Sequence, residues 1–351
     1  MAQPFSAETL QLAGDVIPVA AEVSFSVSAP LIAASASDSG ILAYISNLAP
    51  RRQLTWMDRS GKEIGKIGSI QDQRHAGLSP DGKTVASVRY SNTGPDGIWL
   101  QDVERGSETR FTSPDLTGAP VWSPEGNWIA FGVDKGLYLK DPSGELKEEL
   151  PLENGNTKTV SDWSHDGRYL IYTEIDPKGR GDIWYLEDPL HKSSERKPVE
   201  FQGTEAAESQ GQLSPDGRWL AYVSDESGQQ EVYVRPFPSS PGRWKISAGR
   251  GRSREPRWRR DSKELFFLES RVAFNWLMAV QVQSGPGGDF HASPPQALFE
   301  FRAAGSVPQA NCFLYSPSAD GQRFLVDVQA GDDEPTLNVI SNWEKAALGD
   351  K

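Results

Sequence analysis

Four histidines (His75, His165, His191 and His291) and a single cysteine, Cys312, are the residues of this 351-residue chain best suited to metal ligation or nucleophilic chemistry. Their spacing serves neither. No His-x-His or His-Glu-x-x-His pair places two imidazoles on one ion, and one cysteine excludes an internal disulfide and a cysteine-rich metal site. No Gly-x-Ser-x-Gly elbow is present, nor the His-Arg-Asp, Asp-Phe-Gly and glycine-loop elements of a kinase. Residues 61–66, Gly-Lys-Glu-Ile-Gly-Lys, fall one residue short of a phosphate loop and lack a Ser or Thr after the lysine, so a turn between outer strands is expected there.

Arginine chemistry is more concentrated. Arg250, Arg252, Arg254, Arg257, Arg259 and Arg260 fall within eleven residues of a chain whose net charge is −12. Guanidinium groups meet a carboxylate or phosphate in planar, bidentate fashion, so this segment either binds an anion or pairs with the surplus Asp and Glu. Arg259 and Arg260 are expected to face solvent. The acidic balance argues against sequence-independent nucleic-acid binding, which depends on neutralising phosphates with Lys and Arg. No run approaches the roughly 18 apolar residues of a membrane span, and no Lys or Arg precedes Arg51, so neither a span nor a basic-start secretory signal is expected. With 37% hydrophobic residues and 11 Trp, the chain can bury a large core.

The elements that position these residues follow from a repeat. LSPDGKTVASV (78–88), WSPEGNWIAFG (122–132), WSHDGRYLIYT (163–173) and LSPDGRWLAYV (213–223) share one template, with weaker copies at 258–268, 317–327 and 35–45. The turn acids Asp38, Asp81, Glu125, Asp166, Asp216, Asp261 and Asp320 are spaced by 43, 44, 41, 50, 45 and 59 residues, which suits a four-stranded unit. The fourth and fifth residues after each acid are both apolar, so this strand buries two faces, as in a sheet held between neighbouring sheets. Aromatic-bearing strands follow, such as IWLQD (98–102) and IWYLE (183–187). Asp-Gly hairpins and face-to-face sheets describe an all-β protein, a β-propeller of four-stranded antiparallel blades. The turn acids are explained by hairpin geometry rather than by calcium. Trp122, Trp163 and Trp258, three residues before their acids, are expected in blade-to-blade packing.

The Ser-Pro-Asp-Gly-Lys turn and its apolar strand resemble the TolB-type, WD40-like propeller repeat. More narrowly, the N-terminal MAQPFSAETLQLAGDVIPVAAEV and the C-terminal TLNVISNW are similar to the extracytoplasmic propeller region of bacterial membrane serine/threonine kinases. The resemblance implies a single propeller domain over 1–351, in a periplasmic or other extracytoplasmic setting. An N-terminal segment (1–30) would carry the ring-closing strand, six blades would span 31–310 and a last blade 311–343, and 344–351 would be a tail. Seven blades are expected, with six or eight as alternatives. Val16 to Val23 is expected to supply the missing strand of the last blade and close the ring.

Arg74 and Arg254 share a register, seven residues before the turn acid, where the innermost strand enters at the channel mouth. The candidate ligand-binding set is therefore Arg74, His75, Thr159, Glu208, Ser209, Gln210, Arg252, Arg254 and Glu255, with no catalytic residue, metal or cofactor assigned. The competing reading of the arginines is ion pairing across blades. The function expected is a non-catalytic binding module, and the resemblance implies a sensor or interaction part of a bacterial envelope or kinase-linked system. It would bind a protein, a peptide or a small anionic ligand. The alternative is an enzyme or enzyme-gating propeller, a hydrolase, lyase or peptidase partner with its site at the channel mouth.

Overall fold

The computed structural model of the chain describes residues 2–3, 5–6, 8–20, 23, 25–26, 31–32, 34–46, 52–91, 94–112, 118–133, 136–144, 149–153, 155–190, 197–239, 241–271, 274–285, 289–302, 313–330 and 336–343. His191, Cys312 and the tail 344–351 lie outside them. Two compact units emerge: Met1–Arg51 with Asn92–Gly94 and Ala330–Lys351, and Arg52–Ser91 with Pro95–Gln329. All elements among the described residues are strands.

The larger unit is built of six antiparallel sheets. Blade one holds Gln73–Leu78, Thr84–Ser91, Gly94–Asp102 and Glu108–Arg110, and blade two Val121–Trp122, Ile129–Val133, Gly136–Lys140 and Glu149–Glu153. Blade three holds Thr157–Trp163, Tyr169–Ile175, Gly181–Glu187 and Val199–Gln202, and blade four Glu208–Leu213, Trp219–Ser224, Glu231–Pro236 and Trp244–Lys245. Blade five holds Arg252–Trp258, Glu264–Arg271, Phe274–Ser284 and Gln296–Phe301, with Phe290–Ala292 as an added strand that accounts for part of the 59-residue interval. Blade six joins Tyr315–Pro317 and Arg323–Gln329 to Arg52–Asp58 and Glu63–Gln71.

Six apolar clusters, one per interface, show that these sheets close on themselves. Val88 and Ile98 of blade one meet Phe131 of blade two, Leu139 meets Tyr172 of blade three, and Ile183 meets Tyr222 of blade four. Val234 meets Phe267 of blade five, Leu277 meets Phe324 of blade six, and Leu54 and Leu325 of blade six return to Val85 of blade one. Each strand after a turn is thus buried on both faces, as its doubly apolar pattern requires. Trp163 and Trp258 are buried and Trp122 is half-buried, and their indole N–H groups donate to the backbone oxygens of Gly167, Gln212 and Gly77.

The hairpin chemistry is local. In blade one the Ser79 hydroxyl donates to Asp81 Oδ1 and accepts the Thr84 N–H, Asp81 Oδ1 accepts the Lys83 N–H, and Gly82 takes a φ of 73°. The Ser79 hydroxyl bond holds the Asp81 carboxyl below its usual range. The same set recurs at Ser164–Asp166 and Ser214–Asp216. Residues 61–66 do begin in a turn between outer strands, with Gly61 at φ 80° against Phe299.

Ring closure differs from expectation. The fourth strand of the last blade is Glu63–Gln71, not Val16 to Val23. Pro18 has no N–H to give a ladder and Val16 is half exposed, whereas Leu54, Trp56 and Ile67 are buried. The first repeat copy does not join the ring either. Ile41–Ser46 pairs with Ala34–Ala36 and Thr336–Ser341 in a three-stranded sheet of the smaller unit, so the ring within Arg52–Gln329 has six blades rather than seven. Thr336–Ser341 was expected in the last blade, but that place is taken by Arg52–Asp58. Two short hairpins, Phe5–Ser6 with Gln11–Leu12 and Phe25–Ser26 with Leu31–Ile32, and an Ala2–Ile17 bridge also belong to the described residues of the smaller unit.

Candidate functional site

The innermost strands of blades one, four and five carry a β-bulge at one shared register, six residues before the turn acid. There His75, Gln210 and Glu255 take left-handed φ values of 59°, 57° and 58°. Side chains other than glycine resist this conformation by about 1–2 kcal/mol, so the surroundings must hold it, and a bulge re-aims its side chain. The surroundings are visible. Gln210 Oε1 accepts the Glu255 N–H at 2.7 Å, and Glu255 Oε2 accepts the Leu314 N–H at 2.6 Å, so these two bulge residues each cap the backbone of the next blade. Tyr315 donates its hydroxyl to the Glu255 carbonyl at 2.8 Å. Two residues further along the strands, Asp162 Oδ2 accepts the Leu213 N–H at 2.7 Å and Gln212 Oε1 accepts from Arg257 at 2.7 Å. The Arg257 guanidinium lies 3.7 Å from the Phe313 ring centroid.

A charge cluster surrounds this belt. Arg52 pairs with Asp327 at 2.9 Å, both fully buried, and Arg74 lies 3.5 Å from Asp72 while stacking over Tyr90 at 4.3 Å. Arg254 pairs with Glu255 at 3.1 Å and donates to Ser270 and Asn275. Burial dominates the protonation of the acids. It raises Asp162 to about 7 against the opposing Leu213 N–H and Arg257, and Asp327 to about 6 against Arg52. Glu255 and Asp72 are raised for the same reason, opposed by Arg254 and Arg74 respectively. A carboxyl out of water favours its neutral form unless a cation compensates.

The predicted residues therefore divide. Gln210, Glu255 and Arg254 are bonded together, and Arg74 and His75 share Tyr90, whose hydroxyl lies 3.4 Å from His75 Nε2. Glu208 is apart, buried and bonded to the Thr204 hydroxyl at 2.6 Å, with burial raising its carboxyl. Thr159 pairs across its own blade with Thr173, and Ser209 with Val223. Arg252 is exposed. Of the arginine–acid pairs, Arg254–Glu255 lies within its blade, Arg74 pairs with Asp72 just ahead of its strand, and Arg59 pairs with Glu264 across blades. Arg259, expected in solvent, is 20% exposed and bonded to Asp261 and Glu264, while Arg260 is exposed. Sequence reasoning missed Arg52, Asp72, Asp162, Gln212 and Asp327, and named Arg257 only as a member of the arginine run. The register four before the turn acid, which Arg257 shares with Asp162 and Gln212, was the signal for those two. Among the described residues no group of three or more His, Cys, Asp or Glu is placed to hold a metal ion.

Comparison with known proteins places this geometry. The protein solved as a TolB of Agrobacterium tumefaciens superposes with a TM-score of 0.62 at 16% identity, covering 80% of this chain and 99% of that one. TolB of Acinetobacter baumannii gives 0.52 at 17% identity, covering 76% and 66%. No family model matches. The chain has the TolB-type β-propeller fold. In sequence it is 27% identical over 163 residues to the uncharacterized peptidase YuxL of Bacillus subtilis, a match covering 44% of this chain and only 23% of that protein. No helix among the described residues is long and apolar enough to cross a membrane.

Proposed function

We propose that the chain is a non-catalytic binding propeller whose channel mouth takes the anionic group of a protein, peptide or small-molecule partner. The observation that carries this reading is the contrast between donors and acids. Arg74 keeps its Nη groups without an acceptor among the described residues and Arg252 is exposed, while Glu255 and Asp162 are occupied by backbone N–H groups of the next blade. Cations are thus available to a ligand where acids are committed to the scaffold. An extracytoplasmic, envelope or kinase-linked setting is the context that the repeat resemblance supports. Fold alone assigns no function, so the test is on the site. Citrate, phosphate and a short poly-glutamate peptide should raise the melting temperature of the wild type, by about 1–2 °C per kcal/mol of binding linkage. That rise should vanish when Arg74→Ala and Arg252→Ala are combined. No rise with any of the three in the wild type would refute the proposal.

The match to YuxL favours a second reading, in which the propeller gates a peptidase. An in-frame hydrolase domain in the full-length gene would support it, whereas an in-frame kinase and membrane span would support the first.

A further inference from the structure

The residue three after the turn acid starts the second strand and fills the wedge between its own blade and the next. In blade four it is Trp219, edge-on to Trp244 at 5.5 Å and 5.0 Å from Phe290 of blade five. In blade three it is Tyr169, 5.6 Å from Tyr185 and 5.0 Å from Phe237 beyond the third strand of blade four. Trp128 of blade two packs into the core shared with blade three. Blade five has Glu264, bound by Arg59 of blade six at 2.8 Å and by Arg259 at 2.7 Å, and blade six has Arg323, stacked 4.6 Å over Trp56. Blade one alone has a short side chain there, Thr84.

A cavity of about 630 Å³ opens at this place, between blades one and two and lined by Thr84 itself. Leu100, Phe111 and Trp122 supply apolar wall. Lys140 is pinned inside it, its Nζ donating to the Phe111 carbonyl at 2.9 Å and lying 5.0 Å from that ring's centroid. Glu125 stands at the rim, exposed, with no partner among the described residues. The volume is that of a small-ligand site, and the surfaces are those an aromatic ring with a polar edge satisfies: an apolar floor, a cation for the ring face and an acceptor for an indole N–H or phenol O–H.

We propose that this wedge is a binding site for an aromatic side chain, Trp or Tyr, of a polypeptide partner, which takes the place that Tyr169 and Trp219 fill from within in blades three and four. The site is independent of the channel mouth.

Saturation-transfer NMR with Ac-Gly-Trp-Gly-NH2, Ac-Gly-Leu-Gly-NH2 and free indole tests the proposal. Transfer to the tryptophan peptide is expected from the wild type and from Thr84→Ala, with none to the leucine peptide. Thr84→Trp should reduce the transfer at least fivefold, as the chain then fills its own wedge. Ser143→Trp, on the exposed rim turn, should do the same without touching the core, so the outcome does not depend on Thr84→Trp folding. Absence of transfer to the tryptophan peptide from the wild type would overturn the proposal, as would equal transfer from wild type and a folded Thr84→Trp. Binding of indole without the peptide would also overturn it, by identifying a free aromatic ligand instead.

Discussion

The carboxylate of Glu255 reaches from blade five to the backbone N–H of Leu314 at 2.6 Å, while its own N–H is held at 2.7 Å by Gln210 of blade four. One residue thus ties three consecutive parts of the ring. Its burial is complete, so its partners cannot turn to water when it is removed.

Replacing Glu255 with Ala should lower stability by about 3–5 kcal/mol, because the Leu314 N–H and the Arg254 guanidinium both lose a buried partner. Glu255→Gln keeps an acceptor oxygen and should lose less, about 1–2 kcal/mol. Urea denaturation measures both. An alanine variant within about 1 kcal/mol of wild type, the net worth of one ordinary hydrogen bond, would remove Glu255 from this role.

Stability should fall as pH rises from 5 to 8. Asp162 and Asp327 have folded-state values of about 7 and about 6, above the ordinary carboxyl value of 3.8. The folded protein therefore holds protons that the unfolded chain has released. Their contribution is complete below the ordinary value and is lost as pH passes through 6 and 7, at about 1.4 kcal/mol for each pH unit that separates a folded-state value from the ordinary one. Asp81, Asp216 and Asp320 run the other way, being held low, and lose their contribution as pH falls below the ordinary value. The optimum should lie near pH 5, and Asp162→Asn should flatten the profile between pH 5 and 7. A urea midpoint that climbs from pH 5 to 8 would contradict this.

Closure by Arg52–Asp58 rests on the buried pair of Arg52 and Asp327. Arg52→Ala alone should cost about 3–5 kcal/mol by stranding the Asp327 charge. Arg52→Met combined with Asp327→Leu should recover most of the loss, since a buried pair replaced by apolar groups is often neutral. A double variant no more stable than Arg52→Ala would mean that the two residues do not face each other.

Much of the fold was legible because its signals are local. Ser79, Asp81 and Gly82 build their hairpin from neighbouring atoms, so the motif can be seen wherever it recurs. Closure was not legible, because Leu54-Thr55-Trp56 and Leu337-Asn338-Val339 carry similar apolar spacing and either could lie beside the last repeat. Burial of Trp56 and pairing of Arg52 with Asp327 favour the first, and neither is visible before the chain is folded. At the site, the shared register of Arg74 and Arg254 could be read, but the belt through Gln210, Glu255 and Leu314 could not. It depends on bulges that shift the ladder, and the bulge residues are Gln, Glu and His rather than the glycine that would have advertised a left-handed backbone. The gap at Thr84 is legible in the sequence as well, since the third residue after the turn acid is Trp, Tyr, Glu or Arg in the other five blades.

The pairing of Arg52 with Asp327 spans 275 positions of the polypeptide. During synthesis Arg52–Asp58 leaves the ribosome long before Arg323–Gln329 exists, and its hydrogen-bonding edge waits while five blades are made behind it. A nascent chain of this design is vulnerable to adopting a stranger's strand until its last repeat emerges, and its assembly should be governed by how quickly so distant a zipper can be fastened.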